Sequence, residues 1–252
     1  MKTLITKIAI CICAISSCNV AYRSTMLNTP LFSAKKEIAI AATTTNFQAA
    51  YSVTDHIGVM ANGYFEQQDA PIDRVGNGGK GFLGEIGAGY FRKIYPKPEI
   101  IFETYGGIGY GHMSQFKNYS DPMNGFAVQQ RSLTANGLKM FIQPAIGYKL
   151  RLFEISAGLR YSNISYLNIK TKNWPVERLY DDHFDELNLN YSFIEPAITL
   201  RAGIRNVKIQ FQYLYCIKLS NGSINYNKEL YSLGIFIKIH TGKYFPPLMN
   251  RP

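Results

Sequence analysis

Charge is scarce in this chain. Only 17% of its 252 residues are Asp, Glu, Lys or Arg, which excludes a disordered acidic or basic tail. Four cysteines exclude a disulfide-dense scaffold, and four histidines, none in a ligand spacing, leave no dedicated metal motif. The apolar run Ile8 to Ile15 is too short to cross a hydrocarbon core of about 30 Å as a helix. After Glu37 there is no convincing helical period. What the chain does have is 18 Tyr, 15 Phe and 21 Gly, a hydrophobic fraction of 46% and a formal charge of +10. Many aromatics and glycines with few charges favour strands, and the length suits one large all-β domain.

The amino end reads as an address. Lys2 and Lys7 form a basic region, the Ile8 to Ile15 run follows, and Ile15-Ser16-Ser17-Cys18 closes it. An apolar residue, two small ones and a cysteine at the end of such a run are the pattern of a bacterial lipoprotein signal, with Cys18 acylated and made the new N-terminus. The expected organisation is a signal peptide over 1–17, a lipidated tether over 18–36, a β-barrel over 37–240 and a tail over 241–252. Cys11 and Cys13 leave with the signal, so Cys216 is the remaining thiol, with a Cys18–Cys216 bridge as the alternative. Losing Lys2 and Lys7 lowers the formal charge from +10 to +8. Lys and Arg are scattered rather than gathered into a patch, so the expected contacts are anionic lipid or surface polysaccharide and not nucleic acid.

Strand periodicity carries the fold. From Val207 to Leu219 every odd position is apolar or aromatic and the even ones are mostly polar. This run is longer than a typical strand of about five or six residues, and suits a tilted strand crossing a membrane. The same alternation places Leu138, Met140, Ile142, Pro144, Ile146 and Tyr148 on one face, and Phe153, Ile155, Ala157, Leu159 and Tyr161 on another. Short links at 54–56, 95–98, 149–153 and 205–206 alternate with long polar segments at about 67–80, 115–136, 167–188 and 220–227. Outer-membrane barrels alternate short periplasmic turns with long external loops. The expected fold is therefore all-β, an antiparallel up-and-down transmembrane barrel of about ten strands, eight long ones plus a short pair at 37–43 and 46–53. That pair could instead be a plug or rim hairpin beside a closed eight.

In such a barrel Glu85, Glu103, Lys139, Glu154, Arg160, Glu195 and Arg201 point inward with Gln143. Buried charges persist when paired and hydrogen-bonded, so the expected lumen is plugged and ion-paired rather than an open selective pore. Gly84, Gly87, Gly89, Gly106, Gly107, Gly109 and Gly111 would permit tight coiling. Pro144 and Pro196 sit in matching Pro-Ala-Ile contexts and read as bulges, since a central strand normally rejects proline.

Those two Pro-Ala-Ile strands, the 48–62 hairpin and the lipobox together resemble uncharacterised outer-membrane β-barrel lipoproteins of Bacteroidetes-type bacteria. The resemblance covers most of 18–240 and implies a location in the outer membrane of a Gram-negative bacterium, with no established activity. The Thr241 to Pro252 tail departs from barrels that end on a terminal aromatic residue.

Candidates for chemistry are weak. Asp181-Asp182-His183-Phe184-Asp185-Glu186 lacks the spacing and turn glycine of a calcium loop. His112 and Ser114 share a strand face, where a lipid-modifying enzyme would hold a catalytic pair, but no orienting carboxylate can be placed beside them. Trp174 and the strand tyrosines Tyr90, Tyr95, Tyr110, Tyr148 and Tyr166 suit an interfacial girdle or, in loops, sugar-stacking platforms. The expected role is non-enzymatic, with no catalytic residue, metal or cofactor: a lipid-anchored outer-membrane barrel whose partners are membrane lipid and surface polysaccharide or another envelope protein. A narrow solute channel is one alternative. A periplasmic lipid-anchored barrel with its apolar face turned inward around an apolar ligand is another.

Overall fold

A computed structural model describes residues 21–68, 76–96, 99–121, 127–173, 190–204, 206–222 and 224–241. The strands are β1 (Glu37–Ala42), β2 (Asn46–Ser52), β3 (Ile57–Gln68), β4 (Gly76–Pro96), β5 (Glu99–Asp121), β6 (Ala127–Lys149), β7 (Phe153–Lys172), β8 (Asn190–Ile204), β9 (Val207–Tyr215), β10 (Ile217–Lys218) and β11 (Glu229–His240). There is no helix among the described residues. From β1 to β9 each strand pairs antiparallel with the next in sequence, β9 pairs with β11, and β11 pairs with β1 from Glu37↔His240 to Ala42↔Ile235, which closes the ring. β10 continues β9 along β8, since Ile217↔Ile194 and Ala197↔Leu214 keep one register. The barrel therefore has ten strand positions, and the short pair β1 and β2 belongs to the closed wall.

The alternation that builds the strands also sorts their faces. On β6, Leu138, Met140, Ile142, Ile146 and Tyr148, and Leu150 just past its end, are exposed outside, with Ile142 at 54%, while Lys139, Phe141, Gln143 and Ala145 are buried inside. From Leu138 to Leu150, steps of about 3.3 Å tilted by roughly 40° give an apolar band about 30 Å tall. The band runs round the wall through Ile86, Ile108, Ile155, Ile198, Ile209 and Ile235. Tyr110, Tyr161 and Tyr231 stand near its upper rim, and Tyr90, Tyr95 and Tyr148 near its lower rim. Because the polar residues face inward, the reading of a barrel with an apolar interior is overturned.

Several finer expectations change. Residues 76–80, 115–121, 127–136 and 167–172, read as loop, are strand, so β4 to β7 rise beyond the apolar band. Pro144 and Pro196 are not bulges. Pro144 pairs with Thr104, and the β6–β7 register is the same on either side of it, at Ile142↔Tyr161 and Ala145↔Gly158. Pro196 pairs with Leu159 and leaves a gap on its other side, where β9 ends and β10 begins. A residue without an N–H interrupts one ladder without shifting either strand. The register shifts fall elsewhere, between Lys93 and Tyr95 and between Thr134 and Asn136. Tyr166 is no girdle residue: its even position in β7 turns it inward, to 8% exposure.

The largest correction concerns the amino end. Most of the described part of the 18–36 segment, expected as a tether between lipid and fold, enters the barrel over residues 21–33. Every residue from Ala21 to Phe32 is buried, with Leu31 and Phe32 at 0% exposure. At Ala21 and Tyr22 the segment meets Asn225 and Tyr226, near the end that carries the long connections. At Ser33 it meets Glu37 and Glu99, at the end of the short turns.

Candidate functional site in the barrel lumen

The inward charges form two groups, each completed by the threaded segment. In the first, Lys139 Nζ lies 2.9 Å from Glu85, and Arg160 Nε donates to Glu195 Oε2 at 2.5 Å. Arg160 Nη1 is 3.5 Å from Glu85 and donates to Thr25 Oγ1 at 3.0 Å, while Nη2 donates to Ser24 Oγ and to the Thr25 carbonyl. Four guanidinium hydrogen bonds and an ion pair to Glu85 thus meet in one planar fork, which a lysine cannot reproduce. Thr25 Oγ1 donates to Glu85 at 2.6 Å, and Tyr22 and Ser162 donate to Glu195 Oε1 at 2.6 and 3.1 Å. Two carboxylates and two cations balance in a space with no access to solvent, as buried charge requires.

The second group lies toward the short turns. Glu154 accepts from Lys208 at 2.6 Å and from Arg201 at 3.3 Å. Arg201 also donates to Gln210 at 2.7 Å and packs over the Phe236 ring, 3.8 Å from its centroid. Glu103 departs from the expected ion pairing: its Oε2 accepts the Leu31 backbone N–H at 2.9 Å, and no salt bridge reaches it among the described residues. Below these groups, Glu37, Lys149, Glu154, Lys208 and Lys238 line a polar recess of about 290 Å³, with Glu37 paired to Lys238, and Lys149 paired to Glu99 beside it.

Glycine makes the room. A Cβ at Gly147 would stand 2.2 Å from Leu31 Cδ2, and one at Gly158 would stand 2.3 Å from Leu27 Cδ2. Phe32, Phe91, Phe141 and Phe236 fill much of the remaining cross-section. Leu31 adopts φ of 50°, a left-handed conformation costing about 1–2 kcal/mol in a non-glycine residue. Glu103 on its N–H and Lys238 on its carbonyl, at 2.6 Å, hold it there.

All seven charged residues singled out from the sequence thus lie on the inner wall. Lys208, Lys238, Gln48 and Gln212 share that wall and passed unremarked, although strand parity marks them equally. Tyr22, Ser24, Thr25 and Asn28 gave no signal, because an irregular segment has no period. His112 and Ser114 face outward above the apolar band, and the His112 Nδ1 partner is the Asn136 amide at 2.7 Å rather than a carboxylate. Cys216 is a free, buried thiol. Cys18, Trp174 and the 181–186 acidic run lie outside the described residues. No group of His, Cys, Asp and Glu among the described residues could hold a metal ion. Comparison with known proteins finds no match for this chain among family models, curated proteins or solved structures.

Proposed function

We propose that this chain is an outer-membrane β-barrel lipoprotein, acylated at Cys18, whose lumen is closed and whose role is non-enzymatic contact at the cell surface through the long connections. One observation carries the reading: an exterior apolar band about 30 Å tall around a closed wall, which matches a hydrocarbon core and would be an aggregation liability in water. Its bordering tyrosines and the short and long ends agree with it. Membrane lipid is then the partner of the band. Surface polysaccharide or another envelope protein is the partner of the loops.

The test is expression in a Gram-negative host. A barrel of this kind resists carbonate extraction and migrates faster on gels unheated than boiled. Release into the soluble fraction after removal of the lipid anchor would overturn the membrane reading. Labelled palmitate that is not incorporated, or that is still incorporated by Cys18→Ser, would remove the lipoprotein part alone.

A further inference from the structure

The segment inside the barrel is held by its main chain as well as by the side chains of Tyr22, Ser24 and Thr25. Arg160 donates to the Thr25 carbonyl, and Gln48 Nε2 donates to the Met26 and Leu27 carbonyls, each at 3.0 Å. Gln212 reaches Leu27 at 2.7 Å, Gln143 reaches Asn28 at 2.8 Å, and Lys238 reaches Pro30 and Leu31 at 3.1 and 2.6 Å. Tyr166 donates to the Ala21 carbonyl at 2.7 Å. Side chains from β2, β6, β7, β9 and β11 thus converge on the carbonyls of residues 21, 25–28, 30 and 31 of one stretch of polypeptide, a pattern that side chains merely filling space have no reason to make. Two wall glycines, Gly158 and Gly147, add notches four residues apart for Leu27 and Leu31.

We infer that the lumen is a built site for an extended polypeptide, occupied by residues 21–33 of its own chain, and that it delivers whatever precedes Ala21 to the long-connection end of the barrel. Direction is fixed at both ends. Arg23 pairs with Glu66, near the top of β3, and Ala21 and Tyr22 bond to Asn225 between β10 and β11. Ser33 bonds to Glu37 and Glu99, beside the short turns. Eleven steps from Ala21 to Phe32, at roughly 3.3 Å each, cover about 36 Å, enough to span the apolar band of about 30 Å.

This rests on the proposed membrane reading only for the side on which the amino end emerges. In that reading, three peptide links hold Cys18 within about 11 Å of Ala21, so its acyl chains enter the leaflet beside the long connections. The lipid and the surface loops then share one face, and the short turns lie on the other.

Three measurements on the full chain test it. In the Thr29→Cys, Ser156→Cys variant, whose parent hydroxyls lie 2.9 Å apart, oxidation joins the segment to β7, and peptide mapping finds the linked pair. If that variant fails to fold, trypsin on the unaltered native protein decides: cleavage after exposed Lys35 or Lys36 precedes cleavage after buried Arg23. An unlinked pair in a folded barrel, or prompt cleavage after Arg23, overturns the inference. Finally, one epitope is placed in turn between Asn19 and Val20, in 122–126 and in 150–152 on intact cells. The first two are labelled together and the third is not. If the first behaves like the third while the barrel still migrates heat-modifiably, the delivery is overturned and the membrane reading survives. If heat-modifiable migration is absent, the membrane reading falls, and the disulfide and trypsin results judge the threading by themselves.

Discussion

Arg160 is where the most interactions meet in one side chain, and its loss is correspondingly severe. Arg160→Met leaves Glu85 and Glu195 buried with Lys139 as the sole remaining cation of their group, and removing one partner of a buried pair costs about 3–5 kcal/mol. The expected outcome is a lower urea midpoint for the refolded barrel, with Arg160→Lys recovering part of it. Gly147 and Leu31 make a second test. Gly147→Ala overpacks the Leu31 notch at a cost of about 1–3 kcal/mol, and Leu31→Ala alone opens a cavity costing about 2–5 kcal/mol. Together they should cost less than the sum by at least about 1 kcal/mol, because each relieves what the other creates. Additive unfolding energies would mean that the two residues do not touch. At this scale, strand parity shows which of Glu85, Arg160 or Glu195 turns inward, but not that their partners are Tyr22, Ser24 and Thr25. Such partners follow no period and lie more than a hundred residues away in sequence, except for Thr25 with Glu85.

Among elements, β6 separates two environments along one strand. Its outer face is apolar from Leu138 to Tyr148 and polar at Ser132, Thr134 and Asn136. Ile142→Arg should therefore cost about 2–4 kcal/mol of folding into lipid vesicles, whereas Asn136→Arg, above the band, should cost no more than about 1. Equal penalties at the two sites would contradict the proposed position of the bilayer. This contrast also explains what was readable in the sequence. Alternating hydrophobicity marks a strand where its outer face meets an apolar medium, so the band-forming stretches of β6, β7 and β9 are plain. Where β4 to β7 rise above the band, water or polar neighbours accept any residue, and 115–121 and 127–136 look like loop although the β5–β6 ladder runs on to Asp121↔Ala127. Pro144 misled for a related reason. A proline suggests a disturbed strand, but a wall fixed by two neighbours absorbs one missing N–H without changing register.

For the molecule as a whole, closure, an even number of strands and the short-turn end follow from the alternation of runs and connections, whereas the place of β1 and β2 in the wall comes from their pairing with β11 and β3. The occupant of the lumen does not, since it belongs to a stretch with no periodic signal. Occupancy has an electrical consequence. Reconstituted in planar bilayers, the unaltered protein and its Glu103→Ala variant should both be silent, because Leu31 and Phe32 fill the passage at the level of Glu103. Steady openings in the unaltered protein would instead favour the narrow channel.

The pairing of β1 with β11 has a topological meaning. The segment precedes β1, and the last strand of the ring zips onto β1 across some two hundred residues of sequence. The molecule is a lasso: its tail passes through a loop tied by its own two end strands, with Tyr22 and Phe32 as bulky knots along the tail. Withdrawal then means either untying that seam or dragging an aromatic residue through a filled bore, so release is governed by a barrier more than by the sum of contacts. Amide hydrogens of residues 25–29 and 31 should exchange at the rate of the β1–β11 seam, and faster exchange of the tail alone would show that the knots slip.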